Sequence, residues 1–221
     1  MRVLVASAFA VPYTIAMNTH TSDIKAWLST GSINIFGRPF AGKDTQGKRL
    51  AALLDGSLLG GGDILRNTET SPELAAIRQS GKLIPSDAYV DIVLPFLKKP
   101  EFAGRPLILS SVGRWIGEEV GVMRALEEAD HPLKAVVYLD IPPSDVRQRW
   151  HALEHHDDRH NRADDTLEIL ERRLDEYQQK TIPVIDKYEQ LGLLLRIDGT
   201  GTPDEVYSAI IGGLAMRARQ S

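Results

Sequence analysis

Short apolar runs alternate with longer segments of helical periodicity along most of the chain. The runs are Ser32–Phe36, Leu107–Leu109, Ala135–Leu139 and Leu193–Ile197. Each precedes a segment with helical spacing, and these segments are Gln46–Leu54, Glu118–Ala129, Ser144–Leu153 and Pro203–Met216. Apolar strands that alternate with amphipathic helices are typical of a parallel sheet covered on both faces. With a further short strand near Ser57–Leu59, the pattern predicts an α/β fold with a doubly wound, five-stranded parallel sheet.

The N-terminal segment departs from this alternation. We expect residues 1–30 to form an extension in front of a single domain over residues 31–221. The apolar stretch from Val3 to Met17 is too short to span a bilayer, which takes about 20 apolar residues. It has some features of a signal peptide, but we expect residues 1–16 to be either poorly ordered or untranslated. Ser22 and the apolar residues after it predict a short capped helix.

Composition narrows the classes of function. A length of 221 residues suits one globular domain, and the net charge of -4 provides no basic field for nucleic acid. Any bound anion must therefore be met by a local cluster of Arg and Lys. The absence of cysteine excludes disulfides, cysteine zinc sites and thiol catalysis. We expect a cytoplasmic monomer that binds neither nucleic acid nor membrane.

A polar segment from His151 to Asn161 carries four of the six histidines. Histidine and aspartate are zinc ligands, so a metal site is one interpretation. A solvated loop between two helices would have the same composition. No pair of these residues has a recognised ligand spacing on a helix face, so we favour the loop.

A glycine loop follows the first predicted strand and opens the first predicted helix of the domain. Its sequence, Gly-Arg-Pro-Phe-Ala-Gly-Lys-Asp-Thr, runs from Gly37 to Thr45. In this context, successive backbone N–H groups at a helix N-terminus bind phosphate, and the lysine adds a positive charge. The pattern predicts a nucleoside triphosphate site. Its candidate residues are Gly37, Pro39, Ala41, Gly42, Lys43, Asp44 and Thr45.

Further motifs, in the same order and spacing, resemble the adenylate kinase family. They are Gly61–Arg66, Gly81–Pro85, Val136–Arg149, the pattern of Arg162, Asp164, Asp165, Arg173, Tyr177 and Pro183, and Ile197–Thr200. The resemblance covers the chain from about Ile33 to its C-terminus. It implies a P-loop nucleoside monophosphate kinase with a monophosphate-binding part over about 61–100 and a short lid over about 151–162.

The resemblance also implies roles for individual residues. The catalytic residues would be Lys43, Arg114, Arg149, Arg162 and Arg173, with Arg149, Gly199 and Thr200 beside ATP. Those around the monophosphate would be Gly61, Asp63, Arg66, Lys82, Ile84, Arg114, Glu118, Arg162 and Arg173. Phosphoryl transfer needs positioning and charge neutralisation, which the planar donors of arginine supply. The substrates would be ATP and AMP, with Mg²⁺ as cofactor. Arg172 is expected to be a surface residue.

One departure from the family concerns magnesium. The family motif Asp-Gly-Phe-Pro-Arg is here Ser-Ser-Val-Gly-Arg, so that Ser110 stands where the family has a magnesium-linked aspartate. The family's glycine after the P-loop lysine is Asp44. We hypothesise that Asp44 supplies the missing carboxylate, with Asp63 as a second candidate, partly through water. The alternative is that Asp44 only caps the following helix.

Another departure concerns the base of the monophosphate. Glu118 stands where the family has a glutamine that reads adenine, and Gly61 replaces the threonine that helps it. A carboxylate only accepts hydrogen bonds, so it suits the amine of adenine or the N–H donors of guanine.

The lid is also short. Leu153 stands at the position of a family arginine, for which Arg159 is a candidate substitute.

Two other functions remain open at this stage. One is a P-loop kinase that acts on GMP, on thymidylate or on a hydroxyl of a different substrate. The other is a nucleotide-binding sensor that has lost catalysis, for which the replacement of aspartate by Ser110 is the only support.

Overall fold

The computed structural model describes residues 13–61, 64, 86–154 and 166–221. The helices and strands described are, in chain order, α1 (Tyr13–Leu28), β1 (Ser32–Gly37), α2 (Lys43–Leu54), β2 (Ser57–Gly60), α3 (Ser86–Leu97), β3 (Leu107–Ser110), α4 (Glu118–Glu128), β4 (Leu133–Asp140), α5 (Pro143–Glu154), α6 (Leu167–Glu176), a π-helical turn (Tyr177–Thr181), α7 (Ile182–Gln190), β5 (Leu194–Asp198) and α8 (Pro203–Gln220).

The strands form one sheet in the order β2-β3-β1-β4-β5, and every pair of neighbours is parallel. The predicted α/β fold with a five-stranded parallel sheet is confirmed. Each strand lies within two residues of the run that predicted it.

Both faces of the sheet are buried, which explains why its strands are continuously apolar. Ile33 and Ile35 of β1 pack into the apolar cluster that also contains residues of α1, α2 and α8. Phe36, on the opposite face, packs with Val184 and Tyr188 of α7. A third cluster joins β2 and β3 to α3 and α4. Helices therefore cover both sides of the sheet.

Helix α1 is longer than the sequence predicted. It begins at Tyr13, so the predicted start at Ser22 is wrong. Pro12 directly precedes it, and no glycine or proline interrupts the segment before Ser22, so nothing local stops the helix earlier. Ile24 and Leu28 are fully buried in the cluster that covers β1. In the part of the chain described, no helix is both long and apolar enough to cross a membrane.

The carboxyl ends of the strands bring polar residues to one edge of the sheet. Ile35 of β1 is paired with Ser110 at the end of β3, and Asp140 at the end of β4 is paired with Asp198 of β5. Gly37, the last residue of β1, is paired with Leu139 of β4. Since β1 lies between β3 and β4 in the sheet, the glycine loop starts between the ends of those two strands. Ligands of open parallel sheets bind beyond this edge, near the strand where the order reverses.

Candidate active site

The glycine loop joins β1 to α2, as the sequence predicted. Gly42 is the N-cap of α2 and has a φ of 90°, a left-handed conformation that favours glycine. The helix begins at Lys43, earlier than the predicted Gln46. Its first turn therefore starts inside the motif, and the unpaired N–H groups of that turn are donors for phosphate oxygens.

Phe40 has a left-handed backbone within the same loop, with a φ of 60°. A residue with a β-carbon in this conformation is strained by about 1 kcal/mol. Its ring packs against the apolar cluster under the loop, and its carbonyl oxygen accepts a hydrogen bond from Nη1 of Arg149 at 3.2 Å. The strained turn thus presents a backbone acceptor to a predicted site residue.

Lys43 is fixed over the loop. Its Nζ donates to the carbonyl oxygens of Gly37 at 2.8 Å and Arg38 at 2.9 Å. Burial lowers the pKa of Lys43 to about 8; the charge of Asp44 opposes this shift and that of Arg114 adds to it. Arg114 is thus within electrostatic range of the lysine, and the contact of both residues with phosphate stays a prediction.

Asp44 and Ser110 are in contact. Ser110 Oγ donates to Asp44 Oδ1 at 3.2 Å, joining the end of β3 to the first turn of α2. The N-cap position of α2 is held by Gly42, not by Asp44. Carboxylate and hydroxyl oxygens are ligands that Mg²⁺ accepts, directly or through water, so this pair fits the ion. Among the described residues, no cluster of three or more His, Cys, Asp or Glu could hold a metal. The predicted Asp63 lies outside the described residues.

Asn34 anchors the loop that carries Arg114. It is fully buried in β1, its Nδ2 donates to Val112 O at 2.8 Å, and its Oδ1 accepts from Val112 N at 3.3 Å. This two-way contact holds the loop as a neighbouring strand would. The sequence analysis missed Asn34, although a single amide within an apolar strand is a signal that could have identified it.

Glu118 is the first residue of α4 and is 8% exposed. Its Oε2 accepts a hydrogen bond from Trp115 N at 3.2 Å. Burial raises the pKa of Glu118 to about 7, against the opposing effects of that hydrogen bond and of the Arg114 charge. The carboxyl therefore changes charge near neutral pH.

Gly61 lies against Ser111 and Val112, in the loop that follows β3 and carries Arg114. A β-carbon at this position would be 2.5 Å from the carbonyl oxygen of Ser111, too close for any real contact. The threonine that the family carries here would not fit without a backbone shift. The structure therefore gives a physical reason for this departure.

A cavity of about 300 Å³ lies between the glycine loop and the turn after β5. Arg149 forms part of its wall, where its Nη2 donates to the carbonyl oxygens of Gly199 at 2.6 Å and Thr200 at 3.3 Å. Asp198 Oδ1 accepts from the N–H of Thr200 at 2.9 Å and so shapes this turn. The cavity is lined by Ala41, Gly42, Thr45, Gln46, Arg149, Gly199, Gly201, Pro203 and Val206.

Sequence reasoning missed four of these lining residues, namely Gln46, Gly201, Pro203 and Val206. Thr202 and Glu205 form a capping box at the start of α8. The helix start at Pro203 was predicted, and the Thr-x-x-Glu spacing supports it; what the sequence did not indicate is that this start lines the cavity. Gln46 Nε2 donates to Pro203 O at 2.9 Å, so α2 and α8 are joined at this wall.

Arg173 lies on α6 and is partly buried, whereas its neighbour Arg172 is exposed, as expected. The predicted residues Asp63, Arg66, Lys82, Ile84, Arg159 and Arg162 lie outside the described residues, as do most of the predicted lid and the polar segment after Glu154. Their roles stay predictions. So does the contact of Arg149 with the transferring phosphoryl group.

The family model and the related proteins that this chain matches all point to the same family. The family model for adenylate kinase matches residues 35–193. An adenylate kinase of Thermus thermophilus is 34% identical over 195 residues, which are 86% of this chain and 100% of that protein. An adenylate kinase of Deinococcus radiodurans is 32% identical over 198 residues, or 84% and 98% of the two chains. Adenylate kinase isoenzyme 1 of Caenorhabditis elegans is 29% identical over 186 residues, or 81% and 85%. The chain belongs to the adenylate kinase family and is a phosphotransferase of the nucleoside monophosphate kinase type.

Proposed function

We propose that this protein transfers the γ-phosphoryl group of ATP to AMP, reversibly, giving two molecules of ADP. One arrangement carries the proposal: the Lys43 ammonium lies over the glycine loop, within electrostatic range of Arg114, and the next residue, Asp44, contacts Ser110 at the end of β3. The names of the relatives support the choice of ATP and AMP. An oxygen of the AMP phosphate attacks the γ-phosphorus, and the bond from that phosphorus to the β–γ bridging oxygen breaks.

ATP binds with its phosphates over the glycine loop and its nucleoside in the cavity between α2 and α8. The N–H groups at the start of α2 and the Lys43 ammonium contact the β- and γ-phosphates. The guanidinium of Arg149 is planar and lies in the cavity wall, where it can stack on a base or reach a phosphate. Because Lys43 and the helix N-terminus are fixed before the substrate arrives, little reorganisation is needed at the reaction step.

The monophosphate binds on the side of Arg114 and Glu118. Arg114 holds its phosphate, together with Arg66, Arg162 and Arg173 as the family pattern implies. Asn34 of the buried strand β1 bonds to the backbone of Val112 and so holds the loop that carries Arg114. Charge neutralisation by several arginines allows two anionic phosphates to approach each other.

Mg²⁺ would be held by Asp44 and Ser110, in part through water, together with phosphate oxygens. The ion would neutralise charge that develops on the β- and γ-phosphate oxygens. In the protein, Asp44 would provide the carboxylate that the family places at the end of β3.

GMP is a second candidate acceptor, because of the state of Glu118. Its pKa of about 7 makes the carboxyl partly neutral and partly ionised at neutral pH. The neutral form both donates and accepts, which matches the N1 and amine of adenine. The ionised form only accepts, which matches the N–H donors of guanine.

The test is phosphoryl transfer from Mg·ATP to AMP, GMP, CMP and UMP in separate assays. Lys43→Ala serves as the blank, and Lys48→Ala, an exposed lysine of the same helix, as the matched control. We expect ADP formation with AMP by the wild type and by Lys48→Ala, and none by Lys43→Ala. Transfer to another acceptor alone would overturn the choice of AMP. ATP binding without any transfer would favour the sensor.

A further inference from the structure

Arg38 is the second residue of the glycine loop, but its side chain contacts protein acceptors at the end of β4. Its Nη1 donates to Tyr138 Oη at 3.1 Å and to Ile141 O at 2.9 Å, and lies 3.4 Å from Asp140 Oδ1. The side chain is 13% exposed. Its backbone carbonyl accepts from Lys43 Nζ at 2.9 Å. One residue therefore holds the phosphate-binding lysine through its backbone and the end of β4 through its guanidinium.

Both carboxylate oxygens of Asp140 are engaged. Oδ1 accepts from Tyr138 Oη at 2.9 Å, and Oδ2 accepts from Arg196 Nη1 at 3.1 Å. Arg196 also lies 5.0 Å from the ring centre of Tyr138. Burial and the contact with Asp140 raise the pKa of Tyr138 to about 12, so its hydroxyl stays a donor at neutral pH. Arg38 thus donates to Tyr138 and Asp140, whose side chains are themselves held by their contacts with each other and with Arg196.

The same guanidinium reaches the π-helical turn Tyr177–Thr181. Its Nη2 donates to Gln178 Oε1 at 3.3 Å, and its Cζ lies 5.6 Å from the ring centre of Tyr177. Lys180 of the turn has its Nζ 4.3 Å from the ring centre of Trp115. Single π-helical turns are uncommon and are often found at functional sites. This turn contacts the glycine loop on one side and the residue after Arg114 on the other.

Helix α6, which carries Arg173, runs directly into the turn. We propose that Arg38 is a positioning residue: it holds the glycine loop against the turn Tyr177–Thr181, and the turn thereby sets the relative positions of Lys43, Arg114 and Arg173. The inference rests on the proposed function, since those three residues act together only if phosphoryl transfer takes place here.

This role predicts a specific kinetic effect. Misplacing reactive groups by about 1 Å can lower a rate by about 100-fold, while substrate contacts that do not change preserve binding. The guanidinium of Arg38 faces protein acceptors, so its loss should affect alignment more than ATP affinity. A residue that bound phosphate directly would instead raise the KM for ATP.

The experiment compares Arg38→Met, Arg38→Lys and the control Arg219→Met, steady-state kinetics being measured for each. Arg219 forms an exposed ion pair with Asp23 at 2.9 Å, near the end of α8 that is opposite to the cavity-lining Pro203. We expect Arg38→Met to lower kcat by about 10- to 100-fold with the KM for ATP changed by less than about threefold. Arg38→Lys, which keeps the charge without the fork, should be intermediate, and Arg219→Met should match the wild type. An unchanged kcat for Arg38→Met, or an effect confined to the KM, would overturn the inference.

A double-mutant cycle with Lys180→Met tests the turn itself. If Arg38 and Lys180 act through one element, the double variant should have nearly the kcat of Arg38→Met alone. Losses that multiply would contradict a shared element. Hydrogen exchange of the amides of residues 177–181 gives a readout without turnover: it should accelerate in both Arg38 variants and not in Arg219→Met. If exchange is faster in the Arg38 variants but the wild type transfers no phosphoryl group, the proposed function is wrong and the contact of Arg38 with the turn stands. Unchanged exchange in the Arg38 variants of an active enzyme would contradict the contact.

Discussion

Ser110 Oγ donates a hydrogen bond to Asp44 Oδ1 across 3.2 Å. The residue that replaces the family's aspartate is therefore in contact with the residue that replaces the glycine after the P-loop lysine. This chain has a carboxylate at the start of α2 and a hydroxyl at the end of β3, and the two side chains meet at the edge of the sheet. This contact is what the hypothesis of a transferred magnesium ligand requires.

The first prediction concerns magnesium. Asp44→Ala should raise the Mg²⁺ concentration for half-maximal activity by about 10-fold or more, the range seen when groups supporting a metal are removed. The double variant Asp44→Ala/Ser110→Asp, which restores the carboxylate at the end of β3, should recover most of the loss. Asp186→Ala, an exposed aspartate of α7, is the control. An unchanged Mg²⁺ dependence for Asp44→Ala would show that the carboxylate does not serve the ion.

A second prediction follows from the pKa of Lys43. Since burial lowers this pKa to about 8, the ammonium is charged below that pH and loses its proton above it. The Kd for Mg·ATP should therefore rise, by about 10-fold between pH 7.5 and 9.5, as the favourable charge disappears. Titration calorimetry across this range measures it. Lys43→Arg stays charged, so its Kd for Mg·ATP should not change over the same pH range. A wild-type Kd that is also constant with pH would refute the prediction.

Glu118 predicts a pH-dependent choice of base. Its carboxyl is mostly neutral below pH 7 and mostly ionised above it, because its pKa is raised to about 7. The ratio of kcat/KM for GMP to that for AMP should therefore increase between pH 6 and 8. The ratio removes pH effects that are common to both substrates, including that of Lys43. In Glu118→Gln the ratio should no longer change with pH. If the wild-type ratio is constant, Glu118 does not read the base.

The left-handed backbone of Phe40 predicts an order of stability between two variants. Phe40→Ala and Phe40→Gly both remove the ring, but only glycine adopts a φ of 60° without strain. Phe40→Gly should therefore be more stable than Phe40→Ala by about 1 kcal/mol. Urea denaturation of both variants measures the difference. The opposite order, the usual one where φ is negative, would mean that the turn is not strained.

Local sequence patterns were sufficient to predict much of the fold. The continuous apolar strands and the glycine loop before α2 depend on residues close in sequence, so periodicity identified them. The start of α1 was missed because Ser22 is a good cap by composition, whereas the helix continues back to Tyr13. The assignment to the adenylate kinase family, made from ordered motifs, is confirmed by the family model and the relatives.

The sequence by itself determined the layers of the fold, the family and the position of the phosphate loop, because these follow from local periodicity and from ordered motifs. Only the tertiary structure decided which distant residues meet. The parallel register puts the ends of β1, β3 and β4 on one edge, and this places Ser110 against Asp44 and Arg38 against Asp140. The pKa of Glu118 and the fit of Gly61 against Ser111 depend likewise on burial and close approach. Such contacts join segments far apart in the chain, and no local pattern encodes their distances.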